Sequence, residues 1–106
     1  MADDFVRVCS VDEIPDPGKR VFEIDDQFVL VVHLDRQWYA LDDRCTHDGG
    51  PLGEGHFDGH CIVCPRHGAK FDLQTGAAMT MPAVTATTRH DVKVEQGSVF
   101  VRLRDR

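Results

Sequence analysis

From Phe5 to Cys9 apolar and polar side chains alternate, the period-two signature of a strand with one buried face. Ser10-Val11-Asp12-Glu13 has the form of a capping box and predicts a single helical turn, which Pro15 and Pro17 stop before Gly18 turns the chain out. Val21-Phe22-Glu23-Ile24 and Phe28-Val29-Leu30-Val31-Val32 are β-rich runs on either side of Asp25-Asp26-Gln27, a hairpin pattern. Asp35-Arg36-Gln37 makes a second polar connection into Trp38-Tyr39-Ala40-Leu41, so three consecutive strands form a meander that ends just before Cys45.

Pro51-Leu52-Gly53-Glu54-Gly55 is too rich in glycine for a helix and is expected to be a structured loop. Phe57-Asp58-Gly59-His60 has Asp-Gly at its centre and predicts a turn. His60 to Val63 predicts a strand delivering Cys64, Ala69 to Leu73 its return partner, and Gln74-Thr75-Gly76 the next turn. Ala77 to Ala83, containing Met79, Met81 and Pro82, is a loop; Thr85 to Val94 and Ser98 to Leu103 are two final strands joined through Gln96-Gly97. No repeat, linker or long amphipathic helix is present in the pattern, so the class is all-β.

The chain has 106 residues, which sets one domain, residues 1–106. Its longest apolar run, Phe28 to Val32, falls far short of the roughly 20 residues of a membrane span. Met1-Ala2-Asp3-Asp4 has no apolar stretch of the kind an export signal carries, so a soluble, cytoplasmic protein is expected. The formal net charge of −6 argues against nucleic acid, whose phosphates call for a basic face, and suits either plain solubility or a protein partner with a basic docking patch.

The chemistry lies between Cys45 and His67. Cys45-Thr46-His47 and Cys64-Pro65-Arg66-His67 each offer one thiolate and one imidazole, with Gly49, Gly50 and Pro51 after the first pair and Gly68 after the second. Two soft thiolates and two borderline imidazoles brought in from two loops suit a metal centre. Disulfides are disfavoured in a chain without an export signal. Structural zinc held as Cys₂His₂ is the competing reading of the same four residues, but such sites usually space their Cys by two to four residues and end in His-x₃₋₅-His, which this chain lacks. Cys9, in Val6-Arg7-Val8-Cys9, and Cys61, in Cys61-Ile62-Val63-Cys64, fit small strand residues; Cys61-x-x-Cys64 also has the form of a redox or zinc pair. His33, His56, His60 and His90 stand singly and fit solvated or locally hydrogen-bonded roles, Met79 and Met81 loop packing, and Trp38 the core. Arg66, between two candidate ligands, fits a docking face or plain solvation equally.

Cys-x-His with Cys-x-x-His, followed by Gly68 and Phe71-Asp72, resembles the Rieske iron–sulfur signature, and the resemblance covers nearly the whole chain. It implies an antiparallel β-sandwich with a small inserted cluster-binding subdomain, here about residues 43–74, and a loop over 77–83 similar to the proline loop that covers the cluster. It implies one [2Fe–2S] cluster, with Cys45 and Cys64 on the inner iron and His47 and His67 on the outer iron. Two thiolates cancel the positive charge of the oxidised core where four would overturn it, so a neutral site accepts an electron more easily. Rieske proteins of cytochrome bc complexes carry Ser and Tyr donors and an extra Cys in each loop; here those places hold Ala69, Phe71, Gly50 and Arg66. Fewer donors to the sulfurs imply a potential near the low end of the Rieske range, roughly −150 mV. These departures are similar to the small ferredoxins of Rieske oxygenase systems. The resemblance implies a soluble carrier, not itself an enzyme, moving one electron at a time from a flavin-dependent ferredoxin reductase to a terminal oxygenase of aromatic-ring dioxygenase type. A small subunit of a larger oxidoreductase, such as a nitrite-reductase-type complex, and a redox sensor using Cys61 and Cys64 are the readings from other classes.

Overall fold

The computed structural model describes residues 4–44, 50–65, 68–80 and 86–104. Among them run nine strands: β1 (Val6–Ser10), β2 (Gly18–Ile24), β3 (Gln27–Leu34), β4 (Gln37–Asp42), β5 (His56–Asp58), β6 (Cys61–Val63), β7 (Lys70–Asp72), β8 (Arg89–Glu95) and β9 (Ser98–Arg102). Six form an antiparallel sheet in the order β1-β9-β8-β4-β3-β2, and β5-β6-β7 form a separate three-stranded sheet. The class is all-β, as the alternation predicts.

The hairpins are tighter than the polar runs suggested. Gln27 and Gln37 belong to strands, which leaves two-residue turns at Asp25-Asp26 and Asp35-Arg36; Gln96-Gly97 is a third. All six of these residues have positive φ, between 49° and 78°. Such turns carry the right-handed twist that flanking antiparallel strands need. Asp16 supports the second turn from outside, its carboxylate accepting the Asp35 N–H at 3.0 Å and the Arg36 N–H at 2.7 Å.

The capping box forms as its residues predict: a 3-10 turn covers Val11–Glu13, and the Glu13 carboxylate accepts the Ser10 N–H at 2.8 Å. Elsewhere the structure departs from the pattern. Leu52–Glu54 is a 3-10 turn rather than an open loop, because Leu52 is buried in the core and Gly55 N–H closes back on the Leu52 carbonyl at 2.9 Å. His56–Asp58 is a strand rather than part of a turn, and the turn itself is Gly59-His60, with Asp58 paired to Cys61. Strand β8 starts at Arg89, so Ala86 to Thr88 are not strand, and Thr85 lies outside the described residues.

β3 explains the layering. Val29, Leu30, Val31 and Val32 are all fully buried, so both faces of this strand are covered. On one face Val29 and Val31 meet Val99 and Val101 of β9, Cys9 of β1 and Ile14. On the other, Leu30, Val32 and Leu34 meet Leu52, Ile62, Cys64, Phe71 and Leu73. β4 pairs directly with β8, Ala40 opposite His90 and Leu41 opposite Arg89. Residues 43–88 are therefore an excursion between two neighbouring strands, and its sheet, β5–β7, packs back onto β3. His60 ties that excursion to the main sheet from outside, its Nε2 lying 2.8 Å from Asp35 Oδ2.

On the outer face of β8 and β9, Asp91 accepts two bonds from Arg102, at 3.0 and 2.8 Å, and one from Arg104 at 3.0 Å. Burial alone would raise this carboxyl, but the bonds from Arg102 and Arg104 outweigh it and hold Asp91 below its ordinary value. A lowered folded value means that the carboxylate stabilises the fold above the unfolded value, about 3.9, and that this contribution is lost as pH falls through the folded value. Asp91→Asn is expected to flatten the acid side of the stability curve below about pH 4. Urea unfolding of both forms between neutral and acid pH checks this, and identical acid slopes would refute it.

Candidate iron–sulfur centre

Of the four predicted ligands, the described residues include Cys64; Cys45, His47 and His67 lie outside them, as do Arg66, Met81 and Pro82. Cys64 follows β6, and strand alternation puts Ile62 and Cys64 on the face turned to the core. Its side chain is 1% exposed. The loop it opens is closed at the neck by two backbone bonds: Cys64 N–H donates to the Ala69 carbonyl at 2.7 Å, and Gly68 N–H to the Cys64 carbonyl at 3.0 Å. Gly68 makes the closing bend at φ +76° with open space around its Cα, a conformation that glycine adopts without strain. Ala69 and Phe71, both fully buried, share the core cluster with Cys64 and bring no polar side-chain atom.

The stretch entering the first ligand segment is held from three sides. Asp42 N–H donates to the Thr88 carbonyl at 2.8 Å, and Asp43 N–H to the Phe28 carbonyl at 2.9 Å. Thr87 Oγ1 donates to the Arg44 carbonyl at 3.1 Å. Beyond the segment, Gly53 N–H returns to Asp43 Oδ1 at 2.6 Å, which pins the two ends of the first loop together. Burial pushes the Asp43 carboxyl up, with the Glu54 charge in the same direction, against the pull of the Gly53 N–H. Gly55 then lies against β6 so closely that a Cβ there would collide with the Val63 carbonyl. The return of the first loop is thus seated on the strand that delivers Cys64.

The other cysteines do not join this arrangement. Cys9 is buried in β1 among Val99 and Val101, and burial raises its thiol. Cys61 heads β6 opposite Asp72; burial, then the Asp72 charge, raises its thiol as well. Three residues along an extended strand span about 10 Å at about 3.3 Å each. That exceeds the roughly 7 Å between Cα atoms that a disulfide tolerates, and alternation turns Cys61 and Cys64 to opposite faces. Three of the four single histidines, His33, His60 and His90, have hydrogen-bond partners in the protein. His33 stacks on Trp38 with ring centroids 4.0 Å apart, and its Nδ1 donates to the Ile14 carbonyl at 3.0 Å. His90 is buried, its Nδ1 accepting the Arg104 N–H at 2.9 Å, so Nε2 carries the proton and donates to Asp42 Oδ1 at 2.7 Å. Met79 is exposed, its N–H donating to the Lys70 carbonyl at 2.8 Å. Among the described residues no group of three or more His, Cys, Asp or Glu gathers as a metal site.

A buried thiol at the neck of a glycine-closed loop, sharing its core cluster with Ala69 and Phe71, which carry no side-chain donor, fits a cluster held by few hydrogen bonds. The roles of Thr87, Asp43 and Gly55 were not visible in the pattern. Their contacts join residues far apart in the chain, 43 positions in the case of Thr87 and Arg44.

Comparison with known proteins agrees. The Rieske [2Fe-2S] domain matches residues 4–97. The 3-phenylpropionate/cinnamic acid dioxygenase ferredoxin subunit of Photorhabdus laumondii is 35% identical over 92% of this chain and 93% of its own length. The ferredoxin of carbazole 1,9a-dioxygenase from Nocardioides aromaticivorans IC177 superposes with a TM-score of 0.91 at 30% identity, over 96% of this chain and all of its own. A complex of reduced oxygenase and oxidized ferredoxin in carbazole 1,9a-dioxygenase matches with a TM-score of 0.88 at 29% identity, over 95% of this chain and 94% of the matched one. With its fold, its Cys64 hairpin and these matches in agreement, the chain belongs to the Rieske [2Fe-2S] family, as a member of ferredoxin size that carries a [2Fe–2S] cluster.

Proposed function

We propose that this chain carries one electron at a time to a terminal oxygenase of aromatic-ring dioxygenase type, as an electron-transfer component and not a catalytic subunit. The observation that carries this reading is Cys64, buried at the head of a hairpin loop, in a chain that dioxygenase ferredoxins match over nearly their full length. Cys45 and Cys64 would hold the inner iron, and His47 and His67 the outer one, within a cluster-binding unit of about residues 43–74 in a single domain of 1–106. A bound [2Fe–2S] cluster supplies one-electron chemistry at a potential set by its ligands and by hydrogen bonds to its sulfurs.

The chain's own residues do the rest. Ala69 and Phe71 bring no side-chain donor to the site, which favours the low end of the Rieske range. Gly53 N–H on Asp43 Oδ1 and Cys64 N–H on the Ala69 carbonyl fix the chain on either side of the ligand segments. The named complex of an oxygenase with its ferredoxin supports the acceptor. The donor in this reading is a flavin-dependent ferredoxin reductase, since a flavin can divide an electron pair into the single electrons that one cluster accepts. A cytoplasmic location, where thiols stay reduced, suits a cluster held by cysteine thiolates. Among the described residues no helix is long and apolar enough to cross a membrane.

Two experiments test this reading. Cys64→Ser is expected to abolish the paramagnetic signal of the dithionite-reduced cluster, whereas Cys61→Ser leaves the signal and the potential in place. Loss of signal in the Cys61 variant, or zinc in place of iron by metal analysis, would overturn the ligand set. Phe71→Tyr places a hydroxyl donor in the apolar surround of Cys64. A net hydrogen bond of about 0.5–1.5 kcal/mol converts to a rise of about 20–65 mV in midpoint potential. A redox titration reads the shift, and an unmoved potential would reject hydrogen bonding as the control.

A further inference from the structure

Thr87 lies outside both ligand segments and is 96% shielded from solvent, its relative exposure being 4%. Both of its hydrogen-bonding groups on the donor side are committed to different loops. Its N–H donates to the Gly76 carbonyl at 2.8 Å, and its Oγ1 to the Arg44 carbonyl at 3.1 Å. Gly76 N–H in turn donates to the Asp72 carbonyl at 2.8 Å, at the end of β7, the strand that returns from the second ligand loop. Gly76 has φ +80°, and a Cβ on it would collide with the Thr87 carbonyl, so the contact admits no side chain there. The next residue continues the tie, Thr88 accepting the Asp42 N–H at 2.8 Å.

The Arg44 carbonyl belongs to the peptide unit that leads into position 45. That unit is planar, so holding its oxygen holds the plane in which the chain enters the first ligand segment. We infer that Thr87 is a positioning residue for the iron–sulfur centre: one side chain and its own N–H fix the entry of the first ligand segment to the frame of the second. This rests on the ligand assignment proposed above. The hydroxyl matters because it is the donor that fixes the Arg44 carbonyl: without it that oxygen is free to turn toward water or another donor, and the peptide plane turns with it. A methyl in its place would keep the packing and release the peptide plane. β-branching alone therefore does not explain the residue.

The test compares Thr87→Val, which removes the donor and keeps the shape, with Thr87→Ser, which keeps the donor. Each is measured as the cluster-loaded protein. The readouts are the g values of the reduced protein, its midpoint potential, the rate of iron release to a chelator, and the thermal unfolding midpoint. T87V is expected to shift the g values and potential and to release iron at least about fivefold faster, with T87S close to the parent protein. A T87V protein with parental g values, potential and release rate overturns the inference, even if its unfolding midpoint falls, because the residue would then be merely structural. T87S behaving like T87V overturns it too. If T87V does not fold, Thr87→Cys, with a weak thiol donor at the same place, is read by the same criteria. A parent protein without a [2Fe–2S] signal overturns the ligand assignment and this inference together; a parental signal with an unaffected T87V overturns this inference alone.

Discussion

The whole arrangement depends on β3 being apolar on both faces. A strand with Val29, Leu30, Val31 and Val32 all fully buried must be covered twice, and each covering makes a distinct part of the molecule. One side is closed by β1 and β9 folding over; the other is closed only because residues 43–88 leave the sheet and return. At roughly 1.5–3 kcal/mol for each large aliphatic side chain removed from water, the seating of that excursion is a matter of several kilocalories per mole. The unit that holds Cys64 is thus not an appendage. It is one of the two lids on the core.

That constraint gives the site its character. Cys64 is both a member of the core cluster and a candidate ligand, so the packing that stabilises the fold also excludes water from its thiol. The same packing places Ala69 and Phe71 beside it, and their lack of polar atoms lowers the number of hydrogen bonds that the sulfurs can receive. In the function proposed for this chain, stability and redox tuning would use the same side chains.

The backbone bonds around the loops do a second kind of work. Asp43, Gly53, Thr87 and Gly76 consume the polar groups that a loop entering a core would otherwise leave unpaired. In doing so they join three chain segments distant in sequence into one frame. The Asp42–His90 pair, buried on the opposite face, anchors the last residue of β4 to β8 just before the first loop begins.

The strands of the main sheet, the places of the three hairpins though not their two-residue length, and the capping box at Ser10–Glu13 were legible along the chain, because each rests on neighbours within a few positions, and the thiolate–imidazole pairs were legible as sequence patterns. Alternation names a strand, two consecutive residues that tolerate positive φ make a turn, and Cys-x-His is a local pattern. The run Phe28 to Val32 was legible as a strand, but that both its faces are covered came with the tertiary structure. The short strand β5, the 3-10 turn at Leu52, the late start of β8 and the tie through Thr87 came only with the tertiary structure. These depend on partners that no local window contains: Val63 opposite His56, Gly76 against Thr87, and Arg44, 43 positions away, against the same Thr87. A threonine before a strand has no local feature that distinguishes a buried double donor from an ordinary β-former; only the fold brings the two carbonyls to it.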